Sequence, residues 1–241
     1  METFLQDFRF SLRTLVKHPS TTLIIVLALA LGIGANTAIF SLINAVLLRP
    51  LPYENPDRLV AVWQTAYARG LARIPVGTGD FYYWKENGKL FEDFALFRDL
   101  EVNITGDGDP ESIKTAEVTS NFFDLLGVRV PVGRSFRPGE DQAGGAENIV
   151  IVSEGLWKQR YGGDPSLLGR QITLDDEGYT VVGILPPRQR LPGLGEFDLF
   201  IPAQLTNEDR QIQMRFGYSA IGRLKPGVSE GQALAQLTAM A

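Results

Sequence analysis

TTLIIVLALALGIGANTAIFSLINAVLL, residues Thr21 to Leu48, holds no charged side chain across its 28 positions. The hydrocarbon core of a bilayer asks for about 20 consecutive apolar residues in a helix. The stretch therefore reads as a transmembrane helix, which divides the chain into a short leading segment and a long trailing one. At 1.5 Å per residue such a helix is roughly 42 Å long against a core of roughly 30 Å, so either it tilts or its end stands out of the membrane. The expected arrangement is a stalk over Ser41 to Leu48, because Pro50 and Pro52 stop the helix and LPYENPDR leads into a folded domain.

The flank orients the span. Met1 to Ser20 places Phe4, Phe8, Leu12 and Leu15 on one helical face and Arg9, Arg13 and Lys17 at every fourth position on another. This is the pattern of a basic amphipathic helix lying in a headgroup layer. A signal-peptide leader is disfavoured, since the apolar run exceeds the roughly 7–15 residues of such a region and Glu2 and Asp7 do not suit its charged start. Arg9, Arg13 and Lys17 then form a cytoplasmic membrane-surface flank, and by the positive-inside rule the residues after the span are extracytoplasmic.

Within the span Ala30, Gly34, Thr37, Ala38, Ser41, Asn44 and Ala45 recur at spacings of three and four. Small and weakly polar residues on one face let another helix approach closely, so this stripe is the expected packing face. Asn44, and Asn36 outside the stripe, also seek polar partners inside a membrane. The rest of the chain offers no second apolar span, which sends any partner helix to another chain or to sequence beyond this one.

Composition narrows the function. Residues 1–49 carry Arg9, Arg13, Lys17 and Arg49 against Glu2 and Asp7, a net of +2; the whole chain stands at −5, which leaves −7 for the other 192 residues. An acidic main segment without a basic run does not suit nucleic acid. Cysteine is absent, and His18 is the single histidine, beside Lys17 and Pro19. Disulfides, thiolate nucleophiles, zinc-finger spacing and Ser-His-Asp arrangements are thereby excluded. No phosphate-cradling G-x-x-x-x-G-K-[ST] loop occurs, and no cofactor is expected.

After the span, Arg58 to Gln64 reads as a strand. FYYWKEN reads as a helix capped by Thr78 or Asp80 and stopped at Gly88. LFEDFALFRD and EVNITG lead through DGDP into a strand, ESIKTAEVT. Ser120 is expected to cap the helix NFFDLL, which ends at Gly127. NIVIVS follows as a strand, with Ser153 capping EGLWKQRYGG, and RQITLDDEGYTVVGILPP reads as a hairpin. DLFIPA and GYSAIGRLKPG are further strands. The final helix begins near Ser229, with Ala233, Leu234 and Leu237 as its inward face. Asp107, Asp109 and Glu111 lack the other positions of a calcium loop, and Asp175, Asp176 and Glu177 sit at a hairpin tip. Both acidic groups are expected to be turn chemistry.

These motifs go further than a fold class. DFRFSLRTLVKHPSTT, LALGIGANTAIFSLINAVLLRPLPYENPDRLV, VTSNFFDLLGVRVPVGRSF, VIVSEGLWKQRYGGDPSLLGRQITLDDEGYTVVGILPP and IGRLKPGVSEGQALAQL, in that order, resemble the MacB-like and FtsX-like permease subunits of ABC transporters. The resemblance implies an α+β chain: one N-terminal transmembrane helix, then a MacB-like periplasmic core domain of two α+β subdomains. Residues 53–128 and 206–241 would form a porter-like subdomain and 129–205 an inserted one. It also implies three further membrane helices, so the chain looks like an N-terminal fragment.

As partners the resemblance implies a separate ABC ATPase subunit, a second permease chain in a homodimer or heterodimer, and a periplasmic adaptor. The location would be the inner (plasma) membrane. The expected role is that of a non-catalytic permease that passes ATP-driven motion to its periplasmic domain for efflux or export. The alternative is an FtsX-like regulatory module that recruits a periplasmic partner such as a cell-wall hydrolase.

Overall fold

The computed structural model describes residue 17 and residues 19–43, 53–66, 70–106, 108–145, 148–185, 190–191, 195–209 and 216–240. It resolves into two units, Met1–Pro50 and Leu51–Ala241, each taken by itself below.

The first unit holds helix α1, Pro19–Ile43. Thr22–Ser41 is long and apolar enough to cross a membrane. Its large side chains, from Leu23 to Phe40, are exposed on all sides, as expected of a helix whose solvent is lipid. Ala30, Gly34, Thr37, Ala38 and Ser41 lie on α1, and Lys17 is helical and exposed. Asn44, Ala45, Arg9, Arg13 and the rest of the leading amphipathic stretch lie outside the described residues, as does most of the expected stalk.

The second unit runs β1 Leu59–Val62, β2 Gln64–Ala66, β3 Leu71–Ile74, β4 Val76–Gly77, α2 Thr78–Asn87, β5 Phe91–Thr105, β6 Glu111–Val118, α3 Phe122–Leu126 and β7 Val132–Gly133. It continues with β8 Ile149–Ser153, α4 Glu154–Tyr161, β9 Gln171–Leu174, β10 Glu177–Leu185, β11 Arg190–Leu191, β12 Gly195–Glu196, β13 Leu199–Pro202, β14 Phe216–Leu224 and α5 Glu230–Met240. Ten strands make one sheet in the order β1-β14-β5-β6-β13-β8-β10-β7, with β4 on β14 and β9 joined to both β10 and β5. β13 runs parallel to β6, and β10 runs parallel to β8; the other ladders are antiparallel.

Local chemistry accounts for several elements. Ser153 Oγ accepts the Leu156 amide at 3.1 Å, which caps α4 as expected. Gln171–Leu185 is the expected hairpin; Asp175 and Asp176 form its two-residue loop, with φ of 44° and 67°. Positive φ at both positions is the signature of the type I′ turn, whose twist matches that of paired strands. At α5, Ser229 Oγ accepts the Gln232 amide and Gln232 Oε1 accepts the Ser229 amide, a reciprocal capping box.

Other expectations yield to long-range partners. α2 starts at Thr78 with Gly77 as its cap residue and no side-chain cap. Thr78 Oγ1 instead donates to the Asp209 carbonyl at 2.7 Å, and Asp80 accepts Gln64 Nε2. Ser120 does not cap α3 because the cap position belongs to Asn121, one residue on; the Ser120 amide donates to Asp141 Oδ2 at 2.9 Å. The two stretches expected around residue 100 are one 15-residue strand, β5, because β6, β14 and β9 all pair along it. The Arg58–Gln64 strand breaks at Trp63, where Gln64 joins the separate β2–β3 hairpin. In α5 the inward face is Ala233, Leu237 and Met240, whereas Leu234 points out with 67% of its surface exposed.

Three apolar clusters hold the sheet. One, on the α3 face, stacks Phe97, Phe122, Phe123, Phe136, Phe197 and Phe200 with aliphatic neighbours, with ring centroids 5.2–6.1 Å apart. Fully burying one such ring contributes about 1.5–3 kcal/mol, so this cluster outweighs any single polar contact. A second gathers Phe81, Trp84, Phe91, Phe94, Leu96 and Ala233, and a third Val102, Ile104, Val150, Leu156, Val181 and Leu199. Alternation along β5 puts Phe94, Leu96, Val102 and Ile104 on one face, so the second and third clusters share a face and leave Arg98 between them.

Candidate functional site

The polar site lies in that interval. Strand register sets Arg98 of β5 opposite Glu117 of β6, and Glu117 beside Ile201 of β13. Tyr218 of β14 precedes Ser219, the partner of Phe97, and so falls level with Arg98. The result is a row across four strands. Arg98 Nε and Nη2 donate to Glu117 Oε2 at 3.0 and 2.5 Å, and the Tyr218 hydroxyl donates to Oε1 at 2.5 Å. The Arg98 guanidinium also stands 5.0 Å from the Tyr218 ring centroid, close enough for a cation–π contact. Glu117 is buried, and both of its oxygens are satisfied by charge-assisted bonds, which is how a carboxylate is tolerated inside.

Over this row lies a cleft of about 290 Å³, walled by Tyr179, Asn148, Gln204, Leu205 and Asp209. Burial, followed by the charges of Glu177, Glu117 and Asp175, pushes the Tyr179 phenol above its ordinary pKa, so it stays a hydrogen-bond donor at neutral pH. Asp209 Oδ2 accepts the Thr206 amide and hydroxyl at 2.7 and 2.9 Å. Among the described residues of the cleft, Glu117 and Asp209 are both engaged, and the lining offers hydrogen-bond donors and acceptors. Among the described residues no group of three or more His, Asp or Glu is placed to hold a metal ion.

A second polar assembly sits where the chain enters the domain. Tyr53 is buried in the aromatic cluster, and burial raises its phenol pKa strongly. The Glu54 amide donates to the Leu126 carbonyl at 3.2 Å. Gly127, with φ of 69°, ends α3, and a Cβ there would collide with Glu54. Arg223 of β14 is buried, and its Nε donates to the Leu125 carbonyl at 2.7 Å, at the negative end of α3. Its Nη1 reaches the Asn55 carbonyl at 3.5 Å. Burial, then the neighbouring Arg58, lowers the Arg223 pKa from its ordinary value, with Glu92 and Glu54 opposing. Arg58 Nε donates to the Leu224 carbonyl at 2.8 Å, and its guanidinium pairs with Glu92.

The acidic groups singled out in the sequence go elsewhere. Asp107 lies outside the described residues. Glu111 pairs with Arg160 at 3.1 Å, and the Asp109 carbonyl accepts the same guanidinium at 3.0 Å. Asp175 Oδ1 accepts the Asn103 amide and Nδ2, both at 2.9 Å, which ties the hairpin tip to β5. Sequence reading missed Arg98, Glu117, Tyr218 and Arg223. The one local signal was Glu117, a charge between the buried Ala116 and Val118.

Residues 22–240 match the family model of the MacB-like periplasmic core domain. Among solved structures, the chain resembles the periplasmic region of MacB from Actinobacillus actinomycetemcomitans, with a TM-score of 0.59 at 13% identity over 76% of this chain and 82% of that one. A domain of a putative permease protein from Porphyromonas gingivalis gives a TM-score of 0.61 at 20% identity over 78% and 84%. The extracellular domain of the noncanonic ABC-type transporter YknZ from Gram-positive bacteria gives 0.53 at 14% over 73% and 87%. At these identities the likeness speaks for the fold. No curated protein matches the chain. Because the family model takes in most of the apolar helix and the whole of the sheet, the chain belongs to the family of ABC transporter permeases with a MacB-like periplasmic core domain.

Proposed function

We propose that this chain couples ATP hydrolysis by a separate cytoplasmic ATPase subunit to movement of its extracytoplasmic domain, as the permease part of an efflux or export machine in the plasma membrane. The observation that carries the reading is the tie of Tyr53–Arg58, the first described residues of the second unit, to α3 and β14. Motion delivered to that segment is passed on to the sheet and not lost within the domain. The basic flank of Arg9, Arg13 and Lys17 sets the N-terminus in the cytoplasm. The stripe from Ala30 to Ala45 is the face for a second permease chain or for further helices of the same machine.

Residues 53–128 with 206–241 act as one subdomain and 129–205 as the other. This division is supported by the sheet order, in which β1, β14, β5 and β6 are contiguous and β13, β8, β10 and β7 follow. The test is a flexible Gly-Ser insertion after Leu48 in the assembled transporter. Loss of transport with ATPase binding retained is the expected result; unchanged transport sinks the lever. The polar cleft favours a second reading, recruitment of a periplasmic partner, in which substitution of Asn148 and Gln204 abolishes partner capture without altering ATP hydrolysis.

A further inference from the structure

We infer that Arg223 is a positioning residue for force transfer: it clamps the incoming segment Tyr53–Arg58 to the body of the domain, so that segment and sheet move as one. The inference rests on the lever reading proposed above and assigns the coupling to particular atoms. A buried guanidinium is costly to keep unless its donors are engaged. Its Nε makes a firm bond to the Leu125 carbonyl at 2.7 Å, its Nη1 makes a long one to the Asn55 carbonyl at 3.5 Å in a different part of the fold, and its Nη2 is buried without a hydrogen-bond partner among the described residues. Main-chain acceptors cannot rotate away as side chains do, so the bonds fix the path of the chain itself.

The surrounding contacts act in the same direction. Glu54 donates to Leu126, the next carbonyl along α3. Gly127 lets the chain pass beside Glu54 because it has no Cβ. Tyr53 plugs the aromatic cluster from the same segment. Arg58 reaches the Leu224 carbonyl, one residue beyond Arg223, and its charge is taken by Glu92 of β5. Six residues of incoming chain are thereby held to one helix and two strands, and β14, which lies between β1 and β5 in the sheet, carries the clamp.

The absence of native cysteine makes the test clean. Asp57→Cys and Asp124→Cys, both exposed positions, take spin labels that report the distance between the incoming segment and α3. The separate variant Glu101→Cys takes an environment-sensitive fluorophore on β5, read in the transporter assembled with its ATPase during ATP addition. The expected result is a narrow distance distribution in the parent that broadens in Arg223→Met, with loss of the ATP-dependent fluorescence change while ATP hydrolysis persists. Partial recovery of both readouts is expected in Arg223→Lys, which keeps the charge on a single donor nitrogen.

An unchanged distribution in Arg223→Met overturns the inference, and so does a broadened one with the fluorescence change intact. If Arg223→Met does not fold, Arg58→Gln loosens the same segment from a part-exposed position and is read in the same way. A Gly-Ser insertion after Leu48 separates the two ideas. A fluorescence change that survives the insertion defeats the lever, and one lost with the insertion but kept in Arg223→Met defeats the clamp alone.

Discussion

Tyr218 donates a 2.5 Å hydrogen bond to Glu117, although 101 residues separate them in the chain and β5 lies between their strands. The bond leaves the carboxylate with no free oxygen, since Arg98 holds the other. Removing Arg98 should therefore cost more than removing Tyr218's hydroxyl. Arg98→Met strands a buried charge and is expected to lower stability by about 2–3 kcal/mol, discounted from the fully buried case because Arg98 is itself part exposed. Tyr218→Phe should cost about 1–2 kcal/mol. Urea unfolding of the two variants checks the order, and equal costs would contradict the assigned geometry.

The pair Arg134–Glu140 predicts part of the acid limb of stability. Burial alone would raise the Glu140 pKa, but the bonds from Arg134 and from the Arg137 amide, with the charges of both arginines, outweigh it and hold the pKa below the ordinary 4.5. A carboxyl depressed on folding stabilises the protein above its unfolded pKa, and that contribution fades as pH falls through the folded one. Glu140→Gln should accordingly flatten the fall in melting temperature below about pH 4.5 and lower the plateau above it. A parallel shift of the whole profile would count against the pairing.

The hairpin loop can be improved. Asp176 sits at φ of 67°, a region that glycine occupies without steric cost. Asp176→Gly should stabilise the domain by about 0.5–1 kcal/mol, because it keeps the type I′ turn and relieves the strain of a non-glycine residue. Asp175 should not be exchanged in the same way, since its carboxylate also holds Asn103. Thermal unfolding distinguishes the two.

On α5, Leu234→Ser should change stability by no more than about 0.5 kcal/mol, while Ala233→Asp should cost about 3 kcal/mol by placing a charge in the second apolar cluster. A large effect of Leu234→Ser on unfolding of the 241-residue chain would mean that the helix is rotated from the orientation described.

What could be read in advance was local. The apolar span, the Ser153 cap, the Gly127 and Gly88 stops and the Asp175–Asp176 hairpin are each decided by side chains within a few residues of one another. The failures share a different cause. Thr78 and Ser120 looked like caps, but each helix starts one residue away from the expected place, with Gly77 and Asn121 at the cap positions, while the Thr78 hydroxyl and the Ser120 amide donate to Asp209 and Asp141, 131 and 21 residues away. Leu234 fell at a plausible helical spacing, yet the choice between faces depended on where the second cluster lay, and strand pairing fixed that. The Arg98–Glu117–Tyr218 row needed the order β14-β5-β6, and nothing in the alternation of any one strand specifies its neighbour. The parallel seam of β6 with β13 was hidden for the same reason.

That order has a consequence for how the protein is made. Among the described residues β14 is the last strand in chain order, yet it lies between β1 and β5, two of the earliest. Until residue 224 has emerged, both keep an open row of backbone donors and acceptors, and the clamp of Arg223 does not exist. Non-local pairing of this kind is slow and exposes strand edges to other chains. The nascent domain thus spends most of its synthesis as an unfinished sheet, and it closes only when β14 slides into the middle.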